Sequence, residues 1–197
     1  NTSQAHSTPP YGAGSLMGNQ PSFRNTAFCL NRLNTNRSRS ILVAIGDSAL
    51  YNNGMGASLT TEATGNTAIG SKALYSNGKG FYNTAVGSKT LYANTVGNYN
   101  TAAGVQSLFS DTSGTFNSSM GYQALTNNTN GNNNTATGFQ SLLSNTTGTN
   151  NTANGASSLV LTSTGTNNTA KGYLALFGNS SGNNNTAAGA SSLISNT

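Results

Sequence analysis

A leucine returns every seventeen residues along most of this chain: Leu74, Leu91, Leu108, Leu125, Leu142, Leu159, Leu176 and Leu193. Eight residues before each stands an asparagine, at Asn66, Asn83, Asn100, Asn117, Asn134, Asn151, Asn168 and Asn185, which opens an Asn-Thr-Ala-x-Gly segment or a close variant. Glycine closes that segment from Gly70 to Gly189, and a second glycine series runs from Gly80 to Gly182 with the same period. A fixed period without slips is the signature of a repeat architecture. Seventeen residues cut twice by glycine are too short for a helical hairpin, and a 3.6-residue apolar period is absent. The pattern predicts an all-β chain, a parallel β-solenoid or β-roll in which each repeat is one coil built of short strands and tight turns.

With the opening asparagine as position one, alanine at three and leucine at nine are expected to point inward. Position four holds Ile69, Val86, Ala103, Met120, Thr137, Asn154, Lys171 and Ala188, a variety that marks an outward site. Position ten is partly apolar, and with Leu and Ala it would complete the core. Coils in a β-solenoid stack about 4.8 Å apart, so the rod would be about 50 Å long and like residues would form files. Asparagine at one and at twelve (Asn77, Asn94, Asn128, Asn145, Asn179, Asn196) is expected to tolerate left-handed turn geometry while its amide bonds to the next copy. Glycine would supply positive φ at the corners and close backbone approach.

The register extends backwards. Leu42, Gly46 and Leu50 fit one further unit, separated from the next by a seven-residue insertion within about residues 52–65. Asn25, Thr26, Ala27 and Leu33 fit the unit before, with Cys29 in place of glycine, and Gly12 and Leu16 mark a degenerate first unit. The chain therefore divides into an amino-terminal cap or connector (1–24), divergent repeats with a basic cluster (25–58), part of the insertion (59–65) and regular repeats (66–197). All three prolines, Pro9, Pro10 and Pro21, lie in the first segment, and proline cannot donate to a β ladder. A start without Met suggests a processed or truncated chain, and the last unit stops at its thirteenth residue, which suggests a fragment or a subunit junction.

Composition sharpens this reading. Asn (32), Thr (28), Ser (26) and Gly (24) supply 110 of 197 residues, and only 34% are hydrophobic. The resulting core is thin. At about 25 cal/mol per Å2 each coil gains a few kcal/mol, against backbone entropy of about 1–2 kcal/mol per residue. Association of chains along the rod, three of them for preference, would strengthen it. No apolar run is long enough to span a bilayer.

Chemistry is sparse. The only histidine is His6, and the only acids are Asp47, Glu62 and Asp111, at unrelated repeat positions. They form no acid–base, nucleophile or metal-ligand set, so neither catalysis nor a cofactor is expected. Arg24, Arg32, Arg37 and Arg39 fall in a stretch without acids. They make either a solvated or subunit-contact face or a contact for an anionic polysaccharide, lipid headgroup or nucleic acid, with no motif specific for nucleic acid. Cys29 is either a small buried thiol or a cross-link between subunits.

The aromatics Tyr75, Tyr92, Phe109 and Tyr82, Tyr99, Phe116 would stack as two files, for packing or as a sugar-binding platform. Threonine at position two (Thr67, Thr84, Thr101, Thr135, Thr152, Thr169, Thr186) could offer a lattice for ice, although the second threonine file of a broad face is missing. The insertion containing Glu62 is a loop that could bind a ligand.

The Asn-Thr-Ala-x-Gly-x-x-Ala-Leu units, such as Asn66 to Leu74, resemble repeats of trimeric autotransporter adhesin heads and of phage or virus tail-fibre proteins. Val43-Ala44-Ile45-Gly46 is especially similar to the adhesin-head repeat. The resemblance covers about residues 25–197, although a seventeen-residue period is longer than the usual head repeat. It implies a left-handed β-roll wound as a trimer and a structural fibre or filament that supports attachment or adhesion. The location it implies is extracellular, on a cell surface or on a virion. The expected partners are the chain itself, as a trimer or head-to-tail filament, and a cell-surface glycan. The alternative function is a lattice-binding, ice-binding solenoid or a carbohydrate-binding module.

Overall fold

A computed structural model describes residues 25–28 and 40–196. Among the described residues there is no helix, and none that could cross a membrane. Ten three-residue strands form one parallel sheet in chain order: β1 (Thr26–Phe28), β2 (Val43–Ile45), β3 (Thr67–Ile69), β4 (Thr84–Val86), β5 (Thr101–Ala103), β6 (Ser118–Met120), β7 (Thr135–Thr137), β8 (Thr152–Asn154), β9 (Thr169–Lys171) and β10 (Thr186–Ala188). Each strand is residues two to four of a coil. The register never shifts, with Ala68 opposite Ala85 and Ala85 opposite Ala102. This is the expected β-solenoid.

Alternation explains the sheet: residue three points in and is buried, while two and four face out. The inward files are Ala27 to Ala187 at position three and Leu50 to Leu176 at position nine, the leucines fully buried. Leu193, in the last described coil, is 49% exposed. Position eight is a third inward file, of small residues: Ala49, Ala73, Thr90, Ser107, Ala124, Ser141, Ser158 and Ala175 are all buried. At position ten most side chains are half-buried, so the inner core is Leu with two small residues per coil. Ser119 is the one polar residue at position three of a described coil, and Ser107 Oγ donates to its Oγ at 2.7 Å while Ser119 Oγ donates to Ala124 O at 3.0 Å.

The left-handed corners differ from expectation. Asparagines one and twelve do not take positive φ. The residues that do are seven, nine and seventeen, as in Gln123 (54°), Leu125 (53°) and Asn133 (57°). Left-handed geometry costs an L-residue about 1–2 kcal/mol, so leucine there is held by its surroundings. Its side chain is fully buried, and Leu125 N–H donates to Ser141 O of the next coil at 3.0 Å. The two glycine files also divide the roles assigned to them jointly. Gly138 has φ of 133°, and a Cβ there would come to 2.7 Å from the Gly155 carbonyl. Gly131 and its equivalents lack positive φ and are required by contact alone, because a Cβ would overlap the Gly148 carbonyl and Asn128 Oδ1.

The insertion keeps the coil intact. Asn53 accepts from Asn77 Nδ2 as a position-twelve residue, and its own Nδ2 donates to Ala63 O at 2.9 Å, as position-twelve amides do to glycine fifteen. The extra residues thus lie between Gly54 and Ala63. Glu62 Oε2 accepts from Ser58 N–H at 2.7 Å and Leu59 N–H at 2.9 Å, and its carboxylate lies 3.8 Å from Lys79 Nζ.

Candidate functional site

Two asparagine files run inside the rod. At position one each side chain serves two coils: Asn83 N–H donates to Asn66 Oδ1 at 2.9 Å, while Asn83 Nδ2 donates to Gly97 O at 2.8 Å. The pattern repeats through Asn100, Asn117, Asn134, Asn151 and Asn168, and Asn185 N–H extends it by donating to Asn168 Oδ1. The amide therefore binds one coil to the next and also closes its own coil across fourteen residues. A buried polar group is tolerated when its hydrogen bonds are made, and here carbonyl and amide are both occupied.

At position twelve the amides stack directly, Asn94 Nδ2 on Asn77 Oδ1 and Asn145 Nδ2 on Asn128 Oδ1, both at 2.7 Å. Two residues interrupt this file. Thr162 has no amide to offer Asn145 Oδ1, which is left without a partner. Asp111 likewise has no N–H for Asn94. Its Oδ1 accepts from Gly114 N–H at 3.0 Å and Asn128 Nδ2 at 2.9 Å, but its Oδ2 and Asn94 Oδ1 are both buried without partners. Burial pushes the Asp111 carboxyl from its ordinary 3.8 up to about 7, against those two hydrogen bonds.

The outer surface changes along the rod. At position four Ile69, Val86 and Met120 are 36%, 40% and 52% exposed, an apolar file on β3 to β6, and beyond it Thr137, Asn154 and Lys171 make the same file polar. The predicted aromatic files are present. Tyr75, Tyr92 and Phe109 stack with centroids 5.2 Å apart, a file that starts at Tyr51. Tyr82, Tyr99 and Phe116 stack at 5.6 and 5.0 Å, with Phe81 edge-on. In both files ring faces are turned to each other along the rod, which leaves mainly edges at the surface.

No family model, curated protein or solved structure matches the chain.

The acids do not converge: Asp47 is exposed at position six, Glu62 braces its own loop and Asp111 is buried. Among the described residues no group of three His, Cys, Asp or Glu could hold a metal. Arg24, Arg32, Arg37, Arg39, Cys29 and His6 lie outside the described residues. So does the 1–24 segment.

Position-two threonines keep strict register and stay exposed or half-buried, while the position-thirteen hydroxyls of Thr95, Thr112, Thr129 and Thr146 donate to the next coil's carbonyl at 2.9–3.0 Å. Sequence reading missed a glutamine file, in which Gln140 Nε2 donates to Gln123 Oε1 and Gln123 Nε2 to Gln106 Oε1, each at 2.9 Å. The run of Gln at position seven was the signal for it.

Proposed function

We propose that this chain is a non-enzymatic structural rod, extracellular, on a cell surface or borne on a virion, that supports attachment. The observation carrying the proposal is the unbroken in-register stack β1 to β10, tied from coil to coil by the buried asparagine files. Such a stack resists bending and shear, because every coil is bonded to both neighbours by backbone and by buried amides. That property suits a spacer.

The rod is left-handed and three chains associate along it, as the resemblance to adhesin heads and tail fibres implies. The leucine file is covered within one chain, so association uses the outward side, and the apolar file Ile69, Val86 and Met120 supplies a surface for it. Sedimentation equilibrium tests this: the chain should sediment as a trimer at micromolar concentration, and Val86→Lys with Met120→Lys should yield monomers with unchanged circular dichroism. A wild-type monomer under the same conditions would refute the association. Glycan-array binding by the intact chain tests attachment to a cell-surface glycan.

A second reading, binding to an ice lattice, draws on the in-register threonine file Thr152, Thr169 and Thr186, half-buried to exposed, and on the outer asparagine file Asn150, Asn167 and Asn184, which is hydrogen-bonded from coil to coil. Thermal hysteresis at millimolar protein would support it, and its absence would remove it.

A further inference from the structure

In every other coil from Asn77 to Asn145 the position-twelve side chain offers an amide N–H to the Oδ1 before it, at 2.6–2.9 Å. Asp111 sits in that file with the same backbone register and the same downstream partner, Asn128. Its Oδ2 takes the place of the amide nitrogen. Two buried oxygens, Asp111 Oδ2 and Asn94 Oδ1, are left with no donor between them. As an ionised carboxylate, this arrangement would bury a charge and aim it at a carbonyl oxygen.

We propose that Asp111 is a protonated carboxyl standing in for an asparagine amide, that its Oδ2–H donates to Asn94 Oδ1, and that loss of this proton loosens the joint between the two coils. The amides elsewhere in the file also donate to the glycine-fifteen carbonyl of their own coil, but Gly114 O already accepts from Asn100 Nδ2 at 2.8 Å, so the one O–H of a carboxylic acid is enough to serve Asn94 Oδ1. The surroundings supply no competing charge. The coil before offers Asn94 and Gly97, the coil after offers Asn117, Asn128 and Gly131, and the same coil offers Gly114, none of them titratable. Among the described residues neither an arginine nor a lysine pairs with the carboxylate, so neutralisation comes from a proton. A carboxyl desolvated in this way titrates near neutrality, in line with the burial effect already described.

A rod with one such joint is tighter in mildly acidic than in alkaline water. The weak point is local, between the coils that carry Asn94 and Asp111. The coils that carry Asn77 and Asn128 keep amide-to-amide bonds to their neighbours Asn53 and Asn145.

Carbon-detected NMR of the Asp111 carboxyl in the intact chain tests the proposal directly. The expected midpoint lies near pH 7, and a midpoint near 4 would overturn it. Asp111→Asn restores the missing amide and keeps the shape, and amide hydrogen exchange at Gly114 and Asn128 reads the joint. In the wild type, exchange corrected for its intrinsic pH dependence should quicken by up to about a hundredfold between pH 5 and 9, a bound set by the part of the gap between the two titration midpoints that lies above pH 5. Asp111→Asn should abolish that excess. An equal excess in the variant, or none in the wild type, would contradict the switch.

Discussion

Leucine in a left-handed corner makes an unusual demand, and Leu125 tests it. The side chain is fully buried between Leu108 and Leu142 of the adjoining coils, and φ is 53°. Leu125→Ala removes three carbons from a closed file and leaves a cavity, which costs about 2–5 kcal/mol. The backbone cost of about 1–2 kcal/mol stays, because alanine also has a Cβ. Position seven separates that backbone term from packing. Ser157 has φ of 53° and is half-buried.

At an ordinary strand or helix site glycine is about 0.5–1 kcal/mol worse than alanine. At Ser157 the order should reverse, with Ser157→Gly about 0.5–1 kcal/mol more stable than Ser157→Ala once the left-handed cost is lifted. Guanidinium unfolding followed by far-ultraviolet circular dichroism measures both pairs, with hydrogen exchange locating the loss to single coils. A Leu125→Ala loss below about 1 kcal/mol would refute the packing. Ser157→Gly less stable than Ser157→Ala would refute the corner geometry.

Asn134→Ala strips the acceptor for Asn151 N–H and one of the two donors to Gly148 O, which keeps Asn145 Nδ2, so it should cost about 2–4 kcal/mol and speed exchange at Asn151. Gly138→Ala forces a Cβ into the Gly155 carbonyl at φ 133° and should cost more than about 2 kcal/mol in the same unfolding assay. The pH dependence follows from Asp111, an acid whose pKa is raised on folding, so that the folded state binds more protons than the unfolded. Stability is therefore highest below about pH 4, falls as pH rises through the window to about 7, and levels off above it, a total of about 4 kcal/mol in a pH series of denaturation curves.

Much of the coil was legible because each coil is a copy. A seventeen-residue period with alternating Thr-Ala-x at its head fixes a short strand, its inward alanine and the leucine file, and the structure places all three accordingly. The small inward file at position eight was hidden by its variety, since Ala, Ser and Thr share size and not chemistry. The asparagine bonds were legible only in part. Stacking along the file follows from identity at one position, but closure from Asn66 to Gly80 joins positions one and fifteen, which no periodicity connects.

Propensity puts left-handed corners on asparagines one and twelve, because asparagine accepts positive φ most readily after glycine, and only the position-seventeen asparagines such as Asn133 take it. The chain instead puts Leu74 and Lys72 there and buries the asparagines for their hydrogen bonds. Local propensity gave way to coil-to-coil bonding. The charge on Asp111 looked incidental in sequence, because its effect depends on the two amides above and below it, seventeen residues away on either side.

The most direct test of a rigid stacked rod is a distance series along one file. Spin labels at position four, on Ile69→Cys with Lys171→Cys and on Val86→Cys with Lys171→Cys, span six and five coils in a Cys29→Ser background, diluted with unlabelled chain. Pulsed electron resonance should give main distances of about 29 and 24 Å, a step of about 4.8 Å for seventeen residues, with narrow distributions. Distances that do not shorten by one coil spacing, or broad distributions at both pairs, would contradict the rod.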